Sequence, residues 1–151
     1  MEIAHIYEID VNWVENRIGT MSSAELNDEL QVATPPQFNK GIPRIWSPEH
    51  LFTAAVNSCL MTTFLAIAEN SKLEFESFGS KALGKLEIVD GKYQMSEVSL
   101  IPQLKIFKEE DREKAMRVLL KSEAACLISN SIKSKIIFNP EITVEEGSKA
   151  A

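Results

Sequence analysis

Trp46-Ser-Pro-Glu-His-Leu-Phe-Thr-Ala-Ala-Val-Asn-Ser-Cys-Leu-Met-Thr-Thr-Phe-Leu-Ala-Ile-Ala68 reads as one long helix. Ser47 carries the side-chain oxygen an N-cap needs, Pro48 suits the first helical position because its missing N–H is unused there, and Glu49 meets the positive end of the helix dipole. From Leu51 onward the apolar residues surround the helix instead of keeping to one stripe, interrupted by Thr53, Asn57, Ser58, Thr62 and Thr63. A helix of that kind is buried on most sides. About 20 apolar residues would also cross a bilayer. The five polar residues inside the run, with Glu49, His50 and Glu69 beside it, point instead to the core of a globular protein with no membrane partner.

The flanking sequence supplies what such a helix packs against. Upstream, Ile3, His5, Tyr7, Ile9, Val11 and Trp13 alternate with polar positions, the period of a strand. Ile18 to Ser22 returns as the second arm of a hairpin, with Gly19 easing the backbone, and Glu29 to Ala33 is a third short strand. Thr34 to Trp46 holds three prolines and a glycine and reads as a loop leading onto the helix. Downstream, Leu73 to Val89 and Lys92 to Ile106 are extended segments joined by the hairpin turn Asp90-Gly91, with Pro102 predicting an edge or a bend. Lys108 to Lys121 is an amphipathic helix, Glu123 to Ser129 a short helix carrying Cys126, and Lys133 to Val144 a returning strand. The order lacks the regular strand-helix alternation of a parallel sheet, so the expected fold is α+β, an antiparallel sheet packed on a long central buried helix.

The 151 residues suffice for a single domain spanning the chain, with a polar, frayed tail at 145–151. A net charge of -6 offers no general attraction to nucleic acid. The opening MEIAHIYEID has no basic segment followed by an apolar run, so no secretory signal is read there and a cytoplasmic location is expected. In that reducing compartment Cys59 and Cys126, 67 residues apart, are not expected to form a permanent structural disulfide. No phosphate loop, nucleophile elbow or metalloprotease motif is present, and no close ligand pair supports a metal site among the cysteines, His5 and His50.

The cysteines are therefore either small core residues or chemistry. A free thiol is only about 3% ionised at pH 7. The helix dipole fades within the first turn, Cys59 lies about three turns in, and burial would raise its pKa further. A reactive Cys59 thus calls for a cation brought from elsewhere in the fold. Lowering its pKa by about 2 units takes about 2.7 kcal/mol of differential interaction, within reach of a desolvated guanidinium. Glu49 cannot act on Cys59 directly, since ten helical residues span about 15 Å.

The run Ser47-Pro-Glu-His-Leu-Phe-Thr-Ala-Ala-Val-Asn-Ser-Cys59 resembles the signature of the OsmC/Ohr family of thiol peroxidases, in which an Asn/Ser-Pro-Glu-x-Leu start leads to a helical cysteine ten residues after the glutamate. Arg17-Ile18-Gly19 resembles the Arg-x-Gly of the family's first hairpin, Pro36-Gln37-Phe38 its loop before the helix, and Cys126-Leu-Ile-Ser-Asn130 the segment with its second cysteine. Where the family usually has proline after that cysteine, this chain has Leu127.

The resemblance implies an intertwined homodimer, and a helix this apolar is hard to cover with one chain of this size. It implies a hydroperoxide reductase with Cys59 as nucleophile, Cys126 as the second cysteine, and Arg17 held by Glu49 as the activating pair. Arg44, in the loop, is the alternative arginine. Cys59 would become a sulfenic acid, Cys126 would condense with it to a disulfide, and an external dithiol, in this family usually a lipoyl group on a carrier protein, would restore both thiols. No bound cofactor or metal is called for. Phe52, Val56, Leu60 and Met61 are the residues expected to line an apolar pocket for alkyl or lipid hydroperoxides. The other reading is a non-catalytic homodimeric module that binds an apolar ligand and keeps its cysteines as packing residues.

Overall fold

A computed structural model describes residues 3–145. The chain forms two compact units, Met1–Leu51 and Phe52–Ala151, the boundary falling inside the long helix.

The first unit is built on a three-stranded antiparallel sheet, β1 (Asp10–Glu15), β2 (Ile18–Ser22) and β3 (Leu30–Ala33), in that spatial order. The predicted first strand is realised only from Asp10. Asp10 pairs with Ser22, and β2 ends there because Ser23 starts a turn, its carbonyl accepting from the Leu26 amide at 3.1 Å. Residues 3–9 have no partner strand and remain irregular. The β1–β2 turn takes its left-handed residue at Asn16 (φ 48°), not at Gly19. Gly19 answers a different demand: a Cβ there would lie 2.9 Å from the Asn12 carbonyl oxygen, so the close approach of the two strands requires it. The Pro-rich loop folds back along β3, with the Ala33 amide donating to the Trp46 carbonyl at 2.8 Å and the Ile42 amide to Thr34 at 2.8 Å.

Helix α1 runs from Pro48 to Asn70. Ser47 is its N-cap: the buried hydroxyl oxygen accepts from the His50 amide at 3.1 Å, satisfying one of the first-turn donors.

In the second unit, β4 (Ser77–Val89) and β5 (Lys92–Ile106) form a long hairpin through Asp90 and Gly91, whose φ values of 50° and 80° suit the tight turn expected of that pair. The returning segment is two strands rather than one, β6 (Lys135–Phe138) and β7 (Glu141–Val144), and both run parallel to β5. The sheet is therefore mixed, and β5 is central. Pro102 does not mark an edge. The carbonyls of Leu100 and Ile106 face the β6 and β7 side, accepting from Asn139 and Glu145, so residue 102 faces it too. β6 pairs with residues 97–100 and β7 with 103–106, so the missing N–H falls opposite the break between them.

Helix α2 (Arg112–Ala125) follows a short 3-10 turn at Glu109–Asp111. It extends through the start of the predicted short helix, and Cys126 sits just past its end in extended backbone (φ -65°, ψ 111°), not within a helix. Of the tail, Glu145 donates its amide to Ile106 at 2.7 Å, and residues 146–151 lie outside the described residues.

The core of this unit is α1 against β5 and α2. Val56 and Leu60 pack with Val98 and Leu100; Phe64 and Ala68 pack with Leu104, Ile106, Ala115, Val118 and Leu119. By length and composition α1 would pass for a membrane span, yet its function in this fold is that of a core helix. Its burial differs from the all-round cover expected. The fully covered stripe is Val56, Leu60, Phe64 and Ala68, spaced four apart, whereas Met61 and Leu65 remain 41% and 44% exposed. One layer of sheet and one helix cover a single side of a cylinder.

Candidate functional site

Cys59 and Cys126 are both reduced and buried. Cys59 projects from the middle of α1, and its sulfur lies 3.8 Å from the Thr63 hydroxyl one turn further on. Cys126 comes to it from the end of α2, where the chain leaves the helix and turns into a single 3-10 turn at Ser129–Ser131. The pair assigned from the sequence is thus brought together.

Their environments push the two thiols apart. Burial raises the Cys59 pKa, but the backbone at Ile128, the Cys126 thiol, the Thr63 hydroxyl and the backbone at Leu127 together hold it below the ordinary thiol value. Burial raises Cys126 as well. The adjoining Cys59 sulfur reinforces that rise, and the hydroxyl and amide of Ser129 oppose it without reversing it. Cys59 is therefore the more acidic thiol of the pair. The groups that lower its pKa are neutral. Backbone groups leave no side-chain trace in the sequence. Thr63 was legible as the residue four after Cys59, on the same helix face, but was not singled out.

Arg17 and Glu49 belong to the first unit. Arg17 in the β1–β2 turn and Glu49 in the first turn of α1 line one open pocket of about 780 Å³, together with Trp13, Ile18, Val32 and Phe38. Arg44 is exposed on the loop in left-handed backbone (φ 69°) and is not part of that lining.

The four residues expected to line a substrate pocket do not share a surface. Val56 and Leu60 are wholly buried against Val98 and Leu100, and Phe52 packs at the margin of that cluster. Met61 is about 100° further round the helix than Leu60 and lines a separate small pocket of about 270 Å³ with Ala54, Asn57, Ser58 and Phe78. Core packing has claimed the two most apolar positions. Among the described residues no group of three or more His, Cys, Asp or Glu is placed to hold a metal ion.

Comparison with known proteins finds the following. The family model described as OsmC-like protein matches residues 41–141, a span that takes in Glu49, Cys59 and Cys126 but not Arg17. The chain is 24% identical over 148 residues to the uncharacterized protein YmaD of Bacillus subtilis, covering 95% of this chain and 97% of YmaD. Among solved structures, an OsmC-like protein of unknown function from Vibrio cholerae superposes with a TM-score of 0.80 at 21% identity, over 91% of this chain and 99% of that one. An organic hydroperoxide resistance protein from Elizabethkingia anophelis gives 0.75 at 19% identity, over 96% and 100%. At such identities the structural likeness shows a shared fold.

Proposed function

The chain belongs to the OsmC-like protein family, and from that premise we propose that it is a cysteine-based peroxidase reducing organic hydroperoxides, alkyl or lipid, to alcohols. The observation that carries this is the adjacent, reduced Cys59–Cys126 pair with its opposed pKa shifts. A more acidic thiol beside a less acidic second thiol suits two-step sulfur redox chemistry.

The steps balance as follows. The Cys59 thiolate attacks one peroxide oxygen; the O–O bond breaks, an S–O bond forms, and the alkoxide leaves as the alcohol after taking a proton. Cys59 is oxidised to the sulfenic acid and the hydroperoxide is reduced. The Cys126 sulfur then attacks Cys59, forming the disulfide as the sulfenic oxygen departs as water. An external dithiol reduces the disulfide by thiol exchange and is itself oxidised; a lipoyl group on a carrier protein is the reductant we assign. The sulfur carries all the redox chemistry, so the proposal includes no bound cofactor and no metal. Arg17 and Glu49 enter through the sequence motif and their shared pocket, as the pair that handles the peroxide.

The working protein is assigned as a cytoplasmic homodimer. Exposed apolar side chains support the second copy: Met61 and Leu65 on α1, and Val11, Trp13 and Val14 on β1. Stopped-flow mixing with cumene hydroperoxide followed by thiol titration tests the activity. Two thiols should be lost per chain, and Cys59→Ser should abolish peroxide consumption. Unchanged thiols at excess peroxide would sink the proposal and leave an apolar-ligand module with structural cysteines.

A further inference from the structure

A cleft apart from the cysteine pair holds polar atoms that the fold leaves unused. It lies in the second unit between α1 and β4, roughly 150° around the helix from Cys59. The Asn57 side chain donates through Nδ2 to the Ser80 carbonyl at 2.8 Å. A carbonyl only accepts, so the orientation of that amide is fixed and its Oδ1 faces away from the bond. Asn57 Oδ1 and Ser80 Oγ are both buried, and neither has a hydrogen-bond partner among the described residues. Both residues line the cleft, of about 270 Å³, with Ala54, Ser58, Met61 and Phe78. Ser58 has already committed its hydroxyl proton to the Ala55 carbonyl at 3.3 Å. Buried polar atoms are normally paired and an unpaired one costs stability, so two of them beside one cleft call for a group from outside the chain.

We propose that this cleft binds a small, largely apolar alcohol, whose hydroxyl donates to Asn57 Oδ1 and accepts from Ser80 Oγ while its hydrocarbon packs on Ala54, Met61 and Phe78. The polar atoms decide the class. Oδ1 only accepts, so the ligand must bring a donor, and a carboxylate, ester or ketone brings none. No acidic side chain lines the cleft to balance an ammonium ion. One hydroxyl serves both atoms, because it donates once and accepts as well. Water matches the two polar atoms but not the walls: the cleft has the volume of about nine waters at about 30 Å³ each, and Ala54 and Phe78 give the others no partner. Alcohols are also the organic product of the proposed peroxidase, but the site follows from the cleft alone.

Benzyl alcohol titrated into the full chain tests this, with the side-chain NH2 resonances of Asn57 followed by NMR in 15N-labelled protein. They should move and saturate. Ethylbenzene, which has the same shape without the hydroxyl, should bind at least about fivefold more weakly. Ser80→Ala removes only a hydroxyl that the fold leaves unpaired, so its midpoint in urea should stay or rise while its affinity for benzyl alcohol falls by about fivefold. The thiols stay reduced and no peroxide is present, so the peroxidase reading stands or falls separately. A shift that never saturates, as when water or a second copy of the chain occupies the cleft, overturns the proposal. So does ethylbenzene that binds as tightly as benzyl alcohol, or an unchanged affinity in Ser80→Ala. A lowered urea midpoint in that variant overturns it as well, because the hydroxyl then already has a partner in the folded chain.

Discussion

The surroundings of Cys59 and the pocket of Arg17 and Glu49 show two ways of stabilising negative charge. Around Cys59 the groups that hold its pKa down against the effect of burial are neutral: the backbone at Ile128 and Leu127, the Cys126 thiol and the Thr63 hydroxyl. In the first unit the groups are ionic and line an open pocket of about 780 Å³. Neutral dipoles carry little desolvation penalty of their own and serve inside a core, whereas a guanidinium and a carboxylate keep more of their hydration at a pocket wall. If the proposed function holds, ionising the thiol and handling the peroxide are separable tasks, the first resting on the neutral groups around Cys59 and the second on Arg17 and Glu49.

Substitutions sharpen that division, beginning with the largest effect. Cys126→Ser should permit one turnover and then stop. Sulfenic acid should accumulate to about one per chain, trapped by a dimedone-type reagent and counted by mass spectrometry, and continued turnover with dithiol would show that Cys126 does not resolve it. Arg17→Ala should slow peroxide reduction by about 10²- to 10³-fold, the loss typical of a group stabilising charge in the transition state. Arg44→Ala should change it by no more than about twofold. If tasks are divided as proposed, Arg17→Ala should leave the alkylation midpoint of Cys59 nearly unmoved; a large shift there would merge the two tasks, and a larger rate effect at Arg44 would exchange the two arginines. Ser47→Ala should lower stability in urea titration by about 1 kcal/mol, through loss of the N-cap bond to His50.

The smallest effect expected is that of Thr63→Val, whose hydroxyl lies 3.8 Å from the Cys59 sulfur. Only thiolate reacts, so the rate rises with pH through the Cys59 midpoint, which lies below that of a free thiol. Removing a donor moves the midpoint up, by a few tenths of a pH unit. The variant should therefore be slower than the parent below the midpoint and equal to it well above. A rate deficit that persists at high pH would assign Thr63 to the chemistry rather than to ionisation.

Much of this was legible in the residues. The N-cap at Ser47, the hairpin turn at Asp90-Gly91, the strands 18–22 and 30–33 and the span of the long helix follow from local rules, because caps and turns are decided within a few residues. What misled was always non-local. Pro102 reads as an edge signal, and only the break between two separate parallel strands lets it stand in a central one. Ile3 to Ile9 has the alternation of a strand but no neighbour with which to pair. Phe52, Val56, Leu60 and Met61 look alike as apolar helical residues, and only the position of the sheet separates Val56 and Leu60, in the core, from Met61, at the surface.

The opening helix shows where the division falls. The sequence by itself determined that the stretch up to Ala68 is one long helix, that it starts at Ser47, and that Cys59 is the thiol to watch, since capping, propensity and motif spacing are properties of the chain. Tertiary structure decided which stripe of that helix is covered, and that Cys126 stands beside Cys59. It also decided which neutral groups lie around the sulfur of Cys59, because every residue carries backbone polar groups and only folding decides where they point.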